Sequence, residues 1–233
     1  MPDAAEQPTS AQPLRPWRPM AAWTVGILLA AGLAWFAGAV VMPVWQTKRV
    51  VYRYNHTIAD VNPLDAVDEL GGPRKAARRL GLFVRMPRWI TGPDDPGSAD
   101  GGDRLVAINL LGFCGKVAVP ALIKELHSPS PMCRAHAARS LGIIGPDAQA
   151  ALPDLIAALN DEAEIQTQVY WGHSPVNPGE PANTQMIWAL GQIGPAAGPA
   201  APHLVKLMDA SCEVTRRSAA EALKKIRGEE APK

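Results

Sequence analysis

The dipeptide Leu-Gly recurs at 80–81, 111–112, 141–142 and 190–191, and a Leu without its Gly follows at Leu223. The steps are 31, 30, 49 and 33 residues, by subtraction of those positions. Nothing else in the 233-residue chain constrains its fold as tightly, because self-similarity at a regular spacing marks stacked supersecondary units. The match extends to both sides of the Leu. Four and three positions earlier stand Ala76/Ala77, Ala107/Ile108, Ala137/Ala138, Met186/Ile187 and Ala219/Ala220, and three positions later Phe83, Cys114, Ile144, Ile193 and Ile226. Apolar residues at i, i+1, i+4 and i+7 form one stripe, so each Leu sits in an amphipathic helix, the first of its unit.

Gly145-Pro146 and Gly194-Pro195 stop that helix, glycine by taking the left-handed conformation of a helix end and proline by being unable to continue it. The Gly directly after the Leu has a different expected role. Without a side chain, it lets a neighbouring helix approach closely. A second helix follows in "VPALIKEL" (119–126), "LPDLIAAL" (152–159) and "APHLVKLM" (201–208), which align without gaps. Pro120, Pro153 and Pro202 fall in its first turn, where a missing N–H costs nothing. That placement suits a chain with 23 prolines, since an interior proline costs a helix about 3 kcal/mol. "NPLDAVDEL" (62–70) reads as one more second helix, and "PRKAARRLGLF" (73–83) as a degenerate first helix. A lone hairpin cannot bury its apolar face, whereas repeated hairpins cover one another.

Paired helices of this length carrying "LGxIGP…A.P.L…L.D" are similar to HEAT repeats, specifically the short kind of phycobilisome-lyase-like HEAT proteins. The resemblance covers roughly residues 62–228 and is strongest around Leu141 and Leu190. It implies an all-α fold, an α-α superhelix or HEAT-like solenoid of about four to five helical hairpins. Two departures stand out. The unit at Leu111 is three residues shorter between its Leu and Pro120 and has Lys116 where others have proline, and the Leu141-to-Leu190 step carries nearly twenty extra residues.

Ahead of the repeats, no charged residue occurs from Pro19 to Thr47. A hydrocarbon core needs about 20 apolar residues, so 19–47 is expected to form one transmembrane helix. Trp23 and Trp45 lie roughly 33 Å apart along such a helix and would sit at the two membrane interfaces, with Lys48 and Arg49 beside the second. The rival reading is a cleaved signal segment, with Ala37-Gly38-Ala39 as an A-x-A site. Two basic residues before the span and three after it assign no side. The chain thus divides into a tail (1–18), the span (19–47), a juxtamembrane segment (48–61), the repeat domain (62–228) and a short tail (229–233). Within the repeats, "TGPDDPGSADGGD" (91–103) is a loop by composition.

Catalytic chemistry finds no footing. Cys114 in "GFCGK" aligns with stripe positions and reads as a buried, inert thiol. The same stretch fails the phosphate-loop pattern at Leu110 and Val117. Cys133 and His136 are spaced C-x-x-H, a weak metal signal alone, and His136 is expected at a solvated position. His56, His127, His173 and His203 have no ligand-spaced neighbours. No catalytic, cofactor or metal residue is assigned, and a net charge of +1 offers no field for nucleic acid.

Two surfaces are expected to bind. The insertion (162–183) places Tyr170, Trp171 and His173 beside three prolines, suited either to partner contact or to covering the seam between repeats. The concave face of such arrays is usually lined by second helices, which brings Lys124, Asp154, His203 and Lys206 into play. Arg74, Lys75, Arg78 and Arg79 form a separate basic face suited to anionic lipid. The expected function is a membrane-anchored, single-pass, non-catalytic scaffold for a protein partner. The resemblance also implies an alternative, an enzyme or chaperone similar to the bilin lyases.

Overall fold

The structure is a computed structural model that describes residues 30–56, 62–86, 102–163 and 180–229. Those residues are almost entirely helical, with no extended strand among them, as the periodicity requires. The chain forms two compact units, one ending at Val40 and the other beginning at Val41. In the first, the described residues are helical from Ala30, and Leu33 and Trp35 are 69% and 70% exposed. Among the described residues, one helix, Ala30–Tyr54, is long and apolar enough to cross a membrane. The rest of the expected span, 19–29 with Trp23, lies outside the described residues.

The second unit contains α1 (Met42–His56), α2 (Pro63–Glu69), α3 (Pro73–Arg85), α4 (Gly102–Gly112), α5 (Val119–Leu126), α6 (Pro131–Ile144), α7 (Leu152–Ala157), α8 (Asn183–Ile193), α9 (Ala201–Leu207) and α10 (Glu213–Ile226). The first helices α4, α6, α8 and α10 pack side by side as one row. Each second helix packs on the next first helix, α5 on α6, α7 on α8 and α9 on α10. Pro120, Pro153 and Pro202 stand in the first turns of α5, α7 and α9, as expected. Gly145 and Gly194 end α6 and α8 with φ of 69° and 73° but ψ of −135° and −142°, so the expected left-handed helical cap is replaced by a mirror-extended one. Only glycine enters that region without strain. The chain then runs through 3-10 turns, Gly145–Ala151 and Gly194–Ala200, into the second helix.

The Gly after each Leu does what its position predicts. A Cβ at Gly112 would stand 3.2 Å from the Ser140 Cα, one at Gly142 3.0 Å from the Ala189 Cα, and one at Gly191 3.1 Å from the Ala222 Cα. Each glycine of the row therefore receives the backbone of the next first helix, always at the residue just before that helix's Leu.

Gly81 breaks this pattern and corrects the reading of the first unit. Its nearest neighbour is the Cβ of Ala121 on α5, at 3.4 Å. Helix α3 packs on α4 as α5 packs on α6, and α1 packs on both α3 and α4. So "PRKAARRLGLF" occupies a second-helix slot, α1 is the first helix of that hairpin, and α2 lies in its connection. The Leu-Gly signature specifies a close approach without saying to which row, and the Ala-Ala/Leu/Phe stripe suits either.

The repeat packing accordingly starts within the stretch read as the end of the span and the juxtamembrane segment. Val44, Thr47, Val50 and Val51 on α1 are buried, Thr47 donating its hydroxyl to the Pro43 carbonyl at 2.7 Å. Arg53 ties α1 to Glu69 on α2 at 2.5 Å. The described array is four hairpins closed by α10, whose outer face carries Glu213, Arg217, Glu221 and Lys224, all exposed. The insertion leaves and re-enters at one point: Ala182 N–H donates to the Ala163 carbonyl at 2.9 Å, and Asn183 N–H to the Asp161 carbonyl at 3.0 Å.

Candidate functional site

The second-helix row, α3, α5, α7 and α9, carries most of the candidate residues. Lys124 is exposed on α5, Asp154 half-buried on α7, and His203 and Lys206 exposed on α9. Asp154 is engaged: its Oδ1 stands 2.8 Å from His127 Nε2, which joins the end of α5 to α7. Sequence spacing hides that pair, because the two residues are 27 positions apart and meet only when hairpins stack. Among the described residues, no group of three or more His, Cys, Asp or Glu comes together.

Placing α3 in this row unites two surfaces that lie apart in the sequence. Arg74, Arg78 and Arg85 of α3 line an open trough of about 450 Å³, and Lys124 of α5 lines its other wall. Arg85 is held by its Nε–H, which donates to the Gly81 carbonyl at 3.0 Å. Lys75 and Arg79, grouped with Arg74 and Arg78 by sequence, do not line the trough. A cationic stripe at 74, 78 and 85, opposite the apolar stripe at 76, 77, 80 and 83, is the sequence signal that points to it.

A second exposed surface lies on α1. Trp45, Arg49 and Tyr52, at i, i+4 and i+7, share one helical face with Met42 and Lys48 around a shallow hollow of about 430 Å³. Trp45 is 53% exposed and Arg49 exposed, while Lys48 is half-buried.

The thiols and the imidazole of the first-helix row are structural. Cys114 is buried, its Sγ 3.5 Å from the Leu110 carbonyl, and burial pushes its thiol pKa up to about 12, which leaves it un-ionised. His136 corrects an expectation: it is buried rather than solvated, with Nδ1–H donating to Asn109 Oδ1 at 2.8 Å. Interior first helices are covered by neighbours on both sides, so their burial is wider than one stripe; Gln185, at the same position of α8, is buried too. Burial first, and the Arg139 guanidinium second, lower the His136 pKa to about 4. Arg139 itself lies over the Trp188 ring, 5.4 Å from its centroid. Tyr170, Trp171 and His173 fall outside the described residues.

The family comparison agrees with this architecture: residues 97–171 match the HEAT-repeat family. No curated protein matches the chain. Among solved structures, the complex of CpcE and CpcF of phycocyanin lyase from a Nostoc species is similar, with 22% identity and a TM-score of 0.49 over 97% of this chain and 71% of that one.

Proposed function

We propose that the chain, whose residues 97–171 match the HEAT-repeat family, acts as a membrane-anchored scaffold that holds a protein partner along its second-helix row and carries out no covalent step. The observation that carries this reading is the row itself. It offers exposed charges at Lys124, His203 and Lys206 together with exposed apolar side chains at Val205 and Met208, 47% and 44% accessible. Mixed polar and apolar exposure on a rigid helical array is what a protein interface requires. The insertion, with Tyr170, Trp171 and His173, supplies a further contact on the same reading.

The anchor is the apolar helix that continues into α1. With Val44 and Thr47 buried among protein, we place the end of the span before them, near Met42. Residues 19–41 would still cover about 34 Å at 1.5 Å per residue, enough for a hydrocarbon core. Trp45, Lys48 and Arg49 then mark the boundary between lipid headgroups and repeats. Attraction to anionic lipid belongs to Lys48, Arg49, Lys75 and Arg79, leaving Arg74 and Arg78 to the trough. The mixed charge of the row does not favour nucleic acid.

Cell fractionation tests the reading. The full-length chain should stay in membranes through an alkaline carbonate wash, with an intact N-terminus by mass. After detergent solubilisation it should co-purify with one protein in fixed ratio. A carbonate-soluble chain beginning near residue 40 would overturn the anchor, and a chain that purifies alone would overturn the scaffold.

A further inference from the structure

The geometry points to the trough between α3 and α5 as a docking site for an acidic, partly apolar segment of the partner protein. The inference rests on the scaffold reading and adds to it the chemistry of the segment bound.

Charge comes first. Among the described residues, four cationic side chains, Arg74, Arg78, Arg85 and Lys124, line the trough, and no Asp or Glu does. None of the four forms an ion pair within the described structure. Three other arginines of the unit pair with a carboxylate at 2.5–2.9 Å, Arg53 with Glu69, Arg104 with Glu125 and Arg134 with Asp161. An unmatched set of this sign repels itself and is relieved by an anionic ligand. Arg74 and Arg78 are one turn apart, about 6 Å, and Arg85 lies about 10 Å further along. Guanidinium forks at that spacing fit carboxylates repeated along a peptide, each pair two-pronged.

The floor decides between classes of anion. Between the cations lie Leu82 and Val117, 37% and 46% exposed, and the small residues Gly81 and Ala121 put no bulky side chain in the way. A flat bilayer surface does not enter a trough between two helices, whereas a protruding peptide does. Among the described residues no aromatic side chain lines the trough, so they offer no stacking platform of the kind single-stranded nucleic acid uses. About 450 Å³ falls in the range of ligand clefts, roughly 300–1,000 Å³.

The test uses the full chain in nanodiscs of zwitterionic lipid and a fluorescent helical peptide. Its three glutamates are spaced like Arg74, Arg78 and Arg85 around a central leucine, and a control peptide carries glutamine instead. The glutamate peptide should bind about tenfold or more tighter than the control, with affinity falling as salt screens the charges. Arg74→Glu with Arg78→Glu should weaken it about tenfold or more. These replacements put acids near the N-terminal end of α3, where the helix dipole tolerates them, so folding should persist by circular dichroism. Lys124→Glu, on the other wall, should weaken binding in the same direction without touching α3, while Lys206→Glu on α9 should change affinity less than about twofold.

Equal binding of both peptides, or binding indifferent to Arg74, Arg78 and Lys124, would overturn the proposal. So would phosphatidylserine vesicles or oligo(dT) displacing the peptide far more effectively than unlabelled peptide does. If the co-purifying partner stays bound to the Arg74→Glu/Arg78→Glu chain, the trough assignment fails while the scaffold stands; if no partner binds the unaltered chain, the scaffold fails.

Discussion

Gly81 of α3 faces Ala121 of α5, with 3.4 Å between the Cβ of Ala121 and the place where a Cβ on Gly81 would stand. The other Leu-Gly glycines of the array face the backbone of a first helix instead. This difference carries a prediction of opposite signs at one motif position. At Gly142 an added methyl would overlap the Trp188 ring and come 3.0 Å from the Ala189 Cα, so Gly142→Ala should destabilise by about 1–3 kcal/mol through overpacking. At Gly81 the same methyl meets only an ordinary contact, and Gly81→Ala should be neutral or stabilise by up to about 1 kcal/mol through helix propensity and reduced unfolded-state freedom. Urea unfolding of the two variants measures both. Equal losses at the two sites would return α3 to the first-helix row.

The Arg134–Asp161 pair closes one repeat. Arg134 reaches Asp161 through Nε and a terminal nitrogen at 2.6 and 2.9 Å, and donates to the Ser128 carbonyl at 2.8 Å. Both side chains are under 20% exposed, at 18% and 15%. Arg134→Ala should therefore cost about 2–3 kcal/mol, with a coupling of about 1–2 kcal/mol to Asp161→Asn in a double-mutant cycle. The exposed Arg227–Glu229 contact at 4.0 Å should show no measurable coupling.

Acid should loosen the fold through His136. Its pKa is lowered to about 4 from 6.5, so between those values the unfolded chain takes up a proton that the native chain does not. The contribution is complete above about pH 6.5 and is lost as pH falls towards 4, about 3 kcal/mol across the interval by linkage. Comparing the pH dependence of unfolding for the unaltered chain and His136→Gln isolates it. A common slope for both would show that His136 titrates normally in the folded state.

Removing 165–181 and closing the gap with two or three glycines should leave the midpoint of thermal unfolding within about 3 °C, because Ala163 and Ala182 already meet through a 2.9 Å hydrogen bond. A loss of 10 °C or more, read by circular dichroism in micelles, would mean that Tyr170 and Trp171 cover the seam between repeats.

Much of this architecture can be read from residues alone, for reasons that also mark where reading stops. Leu-Gly spacing reveals the hairpins, the glycines announce tight helix contacts, and Pro120, Pro153 and Pro202 mark where second helices begin. Row membership is different: an apolar stripe shows that a helix has one buried face without naming its neighbour, and the sequence misplaces α3 for that reason. Helix α1 is hidden because its buried Val44, Val50 and Val51 follow an apolar run and alternate with Lys48, Arg49 and Arg53, which resemble membrane flanks. His136 misleads because interior first helices are wrapped on two sides. The trough joins α3 to a helix about forty residues away, so the cationic stripe of α3 marks one wall and no local pattern shows the other.

Photo-crosslinking in membranes of the source cell tests the scaffold most directly. A benzophenone amino acid would replace Lys124 or Lys206 on the second-helix row, and Ile143, 38% exposed on the first-helix row, as reference. The account predicts one discrete protein adduct from positions 124 and 206 and none from 143. Adducts with lipid alone, or protein adducts from 143 but from neither second-helix position, would contradict it.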